Sequence, residues 1–322
     1  MYRNEDILKI EHLNSDNFLL TWKMSTTCNY HCSYCTNLEN VSTYKVKYTN
    51  KDLVEKAIKI NKLIRNNNIN KLPLKLKLMG GETTLYNLTE ILNYIENISQ
   101  LVIATNFSKD LDYFYDLEDY CKKRNIFLTL ICSYHIENKD FITKFIDLTK
   151  WCKKNNFKVP QAAFVITEDF DFSLIDNLLE ANITNIKLSE VRSYEDNKVI
   201  LQNNNLVSKY RLKVNKQTKP TYKVTLKDGK IVYFANIYDF INNIEDGFKP
   251  DGVYCNASCN RLTIGYDDKV YLNKCFFLRY TCLGSLNDNI RIESSPTYCY
   301  VPEGQDWRCI LCSSISIEKE IK

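Results

Sequence analysis

Three cysteines fall within eight residues, Cys28-Asn-Tyr-His-Cys32-Ser-Tyr-Cys35, and this spacing offers three thiolates from a single loop. A [4Fe-4S] cluster has four irons and is held by Cys thiolates, so three local thiolates leave one iron open to a further ligand. Structural zinc instead wants a closed tetrahedral set, usually two pairs of ligands on separate loops. His31 offers a fourth ligand in principle, but it sits beside Cys32, and adjacent side chains diverge. Free thiols at this density are reactive, which makes plain packing a poor reason for the cluster.

The loop Cys28-x3-Cys32-x-Tyr34-Cys35 resembles that of the radical S-adenosylmethionine (SAM) enzymes, including the aromatic residue before the last cysteine. The resemblance implies that Cys28, Cys32 and Cys35 ligate a [4Fe-4S] cluster and that Tyr34 lies near the adenine of bound SAM. It also implies an electron donor of the flavodoxin or ferredoxin type. The reaction it implies is reductive cleavage of SAM to a 5′-deoxyadenosyl radical that abstracts hydrogen from a substrate.

Composition is compatible with such an enzyme. A chain of 322 residues suggests one large domain and a small one, and 44% hydrophobic residues can fill a sizeable core. The charge is nearly balanced, 43 basic against 39 acidic residues, so the lysines read as a solvated surface with no clear nucleic-acid stripe. Asn-rich runs at 65–71 and 202–205 read as surface loops. The polar N-terminus and the lack of a long apolar window predict a cytoplasmic protein with no membrane span. In a reduced compartment, thirteen cysteines point to metal rather than disulfides.

Hydrophobic periodicity predicts strands at 18–23, 74–79, 101–105, 126–133, 159–166 and 183–189. Helices are predicted from residue 50 onward and at 88–98, 111–123, 140–155 and 172–180. This alternation argues for a parallel sheet with right-handed crossovers, an α/β fold. Six such units make a partial (β/α)6 parallel barrel over residues 1–205. A bridging segment with a hairpin turned at Asp228-Gly229 follows at 206–249. A small cysteine-rich α+β domain occupies 250–322. Only 17 residues precede the first predicted strand, so a separate N-terminal peptide-recognition domain is not expected.

Parallel barrels place their chemistry at the carboxyl ends of the strands. The second strand is followed by Gly80-Gly81-Glu82, whose glycines permit close backbone approach and whose carboxylate can accept from an ammonium group. By itself this is also the pattern of a tight βα turn. It resembles the family's GGE motif, which implies binding of the SAM amino group, although Thr83 stands where proline is usual. Thr105 and Asn106 follow the third strand where the family often lines the SAM site, and Asn is equally an ordinary turn former.

At the fourth strand end, Ser133, His135 and Glu137 share a face by the period of two. Ser133 resembles the family's ribose contact. His135, with Glu137, is the candidate catalytic acid or base, against the alternative of a structural histidine. Lys187 and Ser189 lie at the last strand, facing SAM or substrate.

Seven cysteines follow Pro250: Cys255, Cys259, Cys275, Cys282, Cys299, Cys309 and Cys312. Cys309-x2-Cys312 is a zinc half-site spacing. The arrangement also resembles the SPASM/Twitch extension of radical SAM enzymes, which implies one auxiliary [4Fe-4S] cluster held by Cys259, Cys275, Cys309 and Cys312, with Cys255 able to replace one of them. Cys121 and Cys152 lie on helix patterns as small buried hydrophobes.

The reading is therefore a radical SAM enzyme acting on a sugar, nucleoside or peptide, of oxidoreductase or isomerase type. Its alternatives are a structural zinc-binding recognition module and, more narrowly, a peptide maturase.

Overall fold

The computed structural model describes residues 2–12, 17–35, 47–167, 169–190, 222–234, 260–272 and 282–292, together with 210, 214, 243, 245, 254–255, 297–298 and 317–318. The described strands begin with β1 (Ile7–His12), β2 (Phe18–Lys23), β3 (Leu74–Met79), β4 (Ile98–Thr105), β5 (Phe127–Ser133), β6 (Gln161–Ile166) and β7 (Ile186–Glu190). They continue with β8 (Tyr222–Leu226), β9 (Ile231–Phe234), β10 (Tyr254–Cys255), β11 (Arg261–Ile264), β12 (Lys269–Leu272), β13 (Cys282–Ser285), β14 (Thr297–Tyr298) and β15 (Ile317–Glu318). The α-helices are α1 (Asn50–Asn67), α2 (Leu88–Leu92), α3 (Leu111–Lys123), α4 (Phe141–Lys154) and α5 (Ser173–Glu180). Among the described residues, no helix is long and apolar enough to cross a membrane.

Two compact units divide the chain, one of Trp22–Asn61 with Lys75–Lys216, the other of Met1–Thr21, Lys62–Leu74 and Gln217–Lys322. The first is a mixed α/β unit with a mostly parallel sheet. Strands β4 to β7 are neighbours in chain order and parallel, with Ala104 level with Ile131, Ser133 with Ala163 and Ala163 with Lys187. Alternation assigns the two faces. Leu76, Leu78, Leu128, Leu130, Ala162 and Phe164 are buried, while Thr129, Ile131, Ser133, Ala163 and Val165 between them are half-buried. Each large apolar side chain so buried is worth about 1.5–3 kcal/mol.

Three helices of this unit end in the same way, with asparagine in the left-handed conformation. Asn125, Asn156 and Asn182 have φ of 56°, 59° and 56°. The following residues Ile126, Phe157 and Ile183 donate their N–H back to Cys121, Cys152 and Leu178, which closes a Schellman cap on α3, α4 and α5. In a chain with only eight glycines, Asn takes the role that glycine usually fills. At the other end of α1, Thr49 and Asp52 cap reciprocally, the Asp52 carboxylate accepting from the Thr49 N–H and the Thr49 hydroxyl from the Asp52 N–H.

In the second unit β15, β1, β8 and β9 form an antiparallel sheet in that order. The β8–β9 hairpin turns at Asp228-Gly229, as the sequence predicts, and Gly229 has φ 84°. Strands β11, β12 and β13 form an antiparallel set. Asn67 stitches this unit together, since its amide donates to Leu63 and Ile290 carbonyls and its oxygen accepts from the Ile292 N–H at 2.9 Å.

Several boundaries differ from expectation. Strand β1 precedes the first predicted strand, because its partner β8 lies far along the chain and local pattern does not announce it. Helix α2 stops at Leu92 rather than 98. Asn97 then takes φ 55° and β4 starts at Ile98, three residues before its predicted start.

Candidate active site

The residues after β2 run beside the turn after β3. Met24 N–H donates to Met79 O, Gly81 N–H to Ser25 O at 2.7 Å and Glu82 N–H to Thr27 O at 2.8 Å. A Cβ at residue 81 would lie 2.1 Å from the Thr27 carbonyl oxygen, so only glycine fits. Gly80 has φ 148°, also glycine territory. The close approach made by the glycine pair is thus to the chain's own Thr27, immediately before the cysteine loop.

Glu82 turns inward and is 1% exposed. Its Oε1 accepts from the Thr84 N–H at 2.8 Å, the Thr84 hydroxyl at 2.6 Å and the Thr105 hydroxyl at 2.8 Å, while Oε2 accepts from the Asn106 N–H at 2.5 Å. Burial holds its carboxyl above the ordinary range, against the lowering effect of these donors. No cation among the described residues lies within ion-pair distance of it.

Asn106 joins this carboxylate to the cysteine loop. Its side-chain amide donates to Asn29 Oδ1 at 2.8 Å and reaches Cys28 Sγ at 3.8 Å, a thiol that also receives the Tyr30 N–H at 3.4 Å. The next residue, Phe107, is fully buried with φ 59°, a conformation costly for a bulky side chain. It persists because its surroundings over-determine it. Its N–H donates to the Thr105 hydroxyl, its carbonyl accepts from Asn138 Nδ2 and Lys144 Nζ, and its ring packs on Phe114, Phe141 and Phe145. Asn138 also donates to the Asn106 carbonyl at 3.2 Å. Asn138 and Lys144 escaped the sequence reading, since nothing local marks a residue whose role is a long-range hydrogen bond.

His135 lies on the cysteine loop. Its Nδ1 is 2.9 Å from Cys32 Sγ and 3.3 Å from the Tyr34 hydroxyl, and its ring stacks on Tyr34 with an interplanar angle of 6°. Burial lowers its pKa, opposed by Glu137, so the imidazole is held toward its neutral form. Burial, with Glu137 and the neighbouring thiols, pushes the Cys32 thiol up to about 11, and burial raises Cys28. The strand ends at Ser133, and His135 and Glu137 follow it in a turn, beyond the reach of the predicted alternation. Cys132 is buried, and Tyr134 packs on Phe141 and Phe164.

Ser133 and Lys187 flank Ala163 in one row across β5, β6 and β7, with Ser189 further along β7 on the same face. Lys187 is exposed and Ser189 half-buried. Cys255 falls on β10, which pairs with β14. Cys259, Cys275, Cys309 and Cys312 lie outside the described residues. Cys121 and Cys152 are buried at 1% and 0% exposure.

The donor set fits an iron-sulfur cluster. Cys28, Cys32 and Cys35 are thiols outside any disulfide, close enough that Cys35 adds to burial in raising Cys28 and Cys32, and His31 is exposed. The buried Thr27 hydroxyl beside the loop has no hydrogen-bond partner.

No family model matches the chain, and no curated protein matches it. Three similar solved structures are of Streptococcus suis SuiB. SuiB bound to S-adenosylmethionine is 16% identical with a TM-score of 0.49, covering 85% of this chain and 64% of that one. SuiB bound to the precursor peptide SuiA is 15% identical with a TM-score of 0.46, covering 80% and 59%. SuiB alone is 15% identical with a TM-score of 0.48, covering 85% and 64%. The chain therefore spans less than two thirds of the length of these structures. In its cysteine loop Cys28-x3-Cys32-x-Tyr34-Cys35 and its Gly80-Gly81-Glu82 turn, the chain resembles the radical S-adenosylmethionine enzymes.

Proposed function

We propose that the chain is a radical SAM enzyme in which Cys28, Cys32 and Cys35 hold a [4Fe-4S] cluster whose fourth iron takes SAM. The observation that carries this reading is a buried carboxylate, Glu82, that has no counter-cation among the described residues and is joined through Asn106 to the thiol of Cys28. A buried charge needs pairing, and an ammonium group beside the thiols would provide it. When bound, the cluster and SAM supply one-electron cleavage of the sulfonium, and with it a carbon radical able to abstract hydrogen from an unreactive position.

The chain's own part is positioning. The Gly80-Gly81 turn brings Glu82 against the loop, and Thr84, Thr105 and Asn106 hold its carboxylate still. Tyr34 offers an aromatic face beside the loop, and Ser133, Lys187 and Ser189 line the half-buried sheet face where a substrate would sit. Closure of that sheet into a partial barrel would exclude water from the radical.

An auxiliary [4Fe-4S] cluster on Cys259, Cys275, Cys309 and Cys312, with Cys255 in reserve, belongs to the same proposal. It would accept an electron from the substrate or anchor it. His135 and Glu137 would move a proton at the substrate. The substrate remains a sugar, nucleoside or peptide.

Anaerobic purification and reconstitution, followed by an absorbance spectrum and iron, sulfide and zinc counts, test the reading. A brown protein with roughly four irons per site is expected, with one cluster's worth of iron and sulfide lost in Cys28→Ala. A colourless protein that holds only zinc would overturn it.

A further inference from the structure

The cysteine loop shares one of its members with a different set of metal-binding atoms. Cys32, His135 and Glu137 each present a ligand atom, and these atoms all lie within 4.8 Å of one another. Cys32 Sγ and His135 Nδ1 are only 2.9 Å apart. Cys28 and Cys35 are not members of the set.

The site is built on one side and open on the other. Cys32 is buried and His135 half-buried, the imidazole held by the Tyr34 stack and by the turn in which Asn138 N–H donates to the His135 carbonyl. Glu137 is exposed, with no hydrogen bond or ion pair among the described residues, and can swing inward. A shared ion with bonds of about 2.0–2.3 Å places its ligands roughly 3.5 Å apart. The thiolate and imidazole then separate by under an ångström, and the carboxylate closes in.

Thiolate, imidazole and carboxylate together favour zinc or ferrous iron over magnesium or calcium. The charges also balance. A dication with one thiolate, one carboxylate and one neutral imidazole is a neutral centre, and three protein ligands leave a position open to water.

We propose that the full chain, when its cysteine loop holds no cluster, binds one Zn2+ or Fe2+ through Cys32, His135 and Glu137, the Cys32 proton passing to solvent. Because Cys32 serves both sets, this ion and a three-cysteine cluster exclude one another. Zinc in this site blocks assembly of the cluster, and ferrous iron there is placed against the thiols that a cluster requires.

Cobalt(II) is the probe, added anaerobically to the reduced, cluster-free full chain, with thiolate-to-cobalt charge-transfer absorbance as the readout. The expected result is one equivalent that zinc displaces, that disappears in Cys32→Ser, and that binds at least tenfold more weakly in His135→Ala and in Glu137→Gln. Cys28→Ser and Cys35→Ser keep it. Cobalt held by the cysteines that no variant changes is common to all and cancels, so the one equivalent is read as the difference from Cys32→Ser.

Glu137 is exposed, so Glu137→Gln leaves the fold intact and decides the matter even where His135→Ala misfolds. Parental affinity in Glu137→Gln, or weakening in Cys28→Ser and Cys35→Ser as large as in His135→Ala, overturns the proposal. Failure of the radical SAM reading registers elsewhere, as absent iron and sulfide after reconstitution, so the two can fail separately.

Discussion

The backbone N–H of Asn106 points at Oε2 of Glu82 across 2.5 Å, while the Asn106 side chain rests on the cysteine loop. One residue at the end of β4 thus couples the turn after β3 to the loop after β2. Replacing Glu82 with Gln keeps the shape but removes the charge and sets an amide where a carboxylate oxygen accepted. This leaves at least one buried donor unpaired, a cost of about 1–3 kcal/mol. Urea unfolding should show that loss, and calorimetry should show SAM affinity reduced at least tenfold. Unchanged stability and affinity would count against the network.

Much of the fold was legible because it is periodic. Strands β2 and β3 occupy the predicted residues, the β8–β9 hairpin turns where Asp228-Gly229 demands, and α3 coincides with its pattern. The cysteine loop was legible for a different reason, since its residue types and spacing have few alternative uses. Strand β1 was not, because its pairing with β8 is a long-range event. Nor was the inward turn of Glu82, which depends on donors from Thr84, Thr105 and Asn106 that only the folded chain assembles.

Gly81 has no room for a side chain, since an added Cβ would meet the Thr27 carbonyl oxygen at 2.1 Å. Gly81→Ala should displace the segment that leads into Cys28, destabilise by about 3 kcal/mol or more, and reduce iron incorporation on reconstitution. Thermal melting and iron counts check this together. An alanine variant with parental melting temperature and full iron would show that the two segments part easily.

Asn138 supports the site without belonging to it. Asn138→Ala removes the donor shared by the Asn106 and Phe107 carbonyls and should cost about 1–3 kcal/mol. Released from that restraint, Phe107 has reason to leave its φ of 59°. The expected signature is weaker SAM binding, with iron content retained. If Asn138→Ala binds SAM as the parent does, the Phe107 conformation is held by its aromatic packing and by its bonds to Thr105 and Lys144 without Asn138.

Glu118 gives the chain a pH-dependent stability remote from the site. It is 4% exposed on α3, and burial, with Asp119 adding to it, pushes its carboxyl up to about 7. The folded state therefore holds a proton that the unfolded state releases near pH 4.5. The stabilisation is complete below that value and is lost as pH rises through 7, amounting to about 2–3 kcal/mol. Urea midpoints at pH 5 and pH 8 measure the difference. Glu118→Gln should flatten it and raise stability at pH 8, and an unchanged pH slope in that variant would assign the dependence to other groups.

Cleavage of SAM tests the central claim most directly. The reconstituted chain is reduced with dithionite in the presence of SAM, and 5′-deoxyadenosine is quantified. Production of 5′-deoxyadenosine by the parent, abolished in Cys28→Ala, Cys32→Ala and Cys35→Ala and strongly reduced in Glu82→Gln, is predicted. A fully iron-loaded, reduced protein that leaves SAM intact would contradict the account.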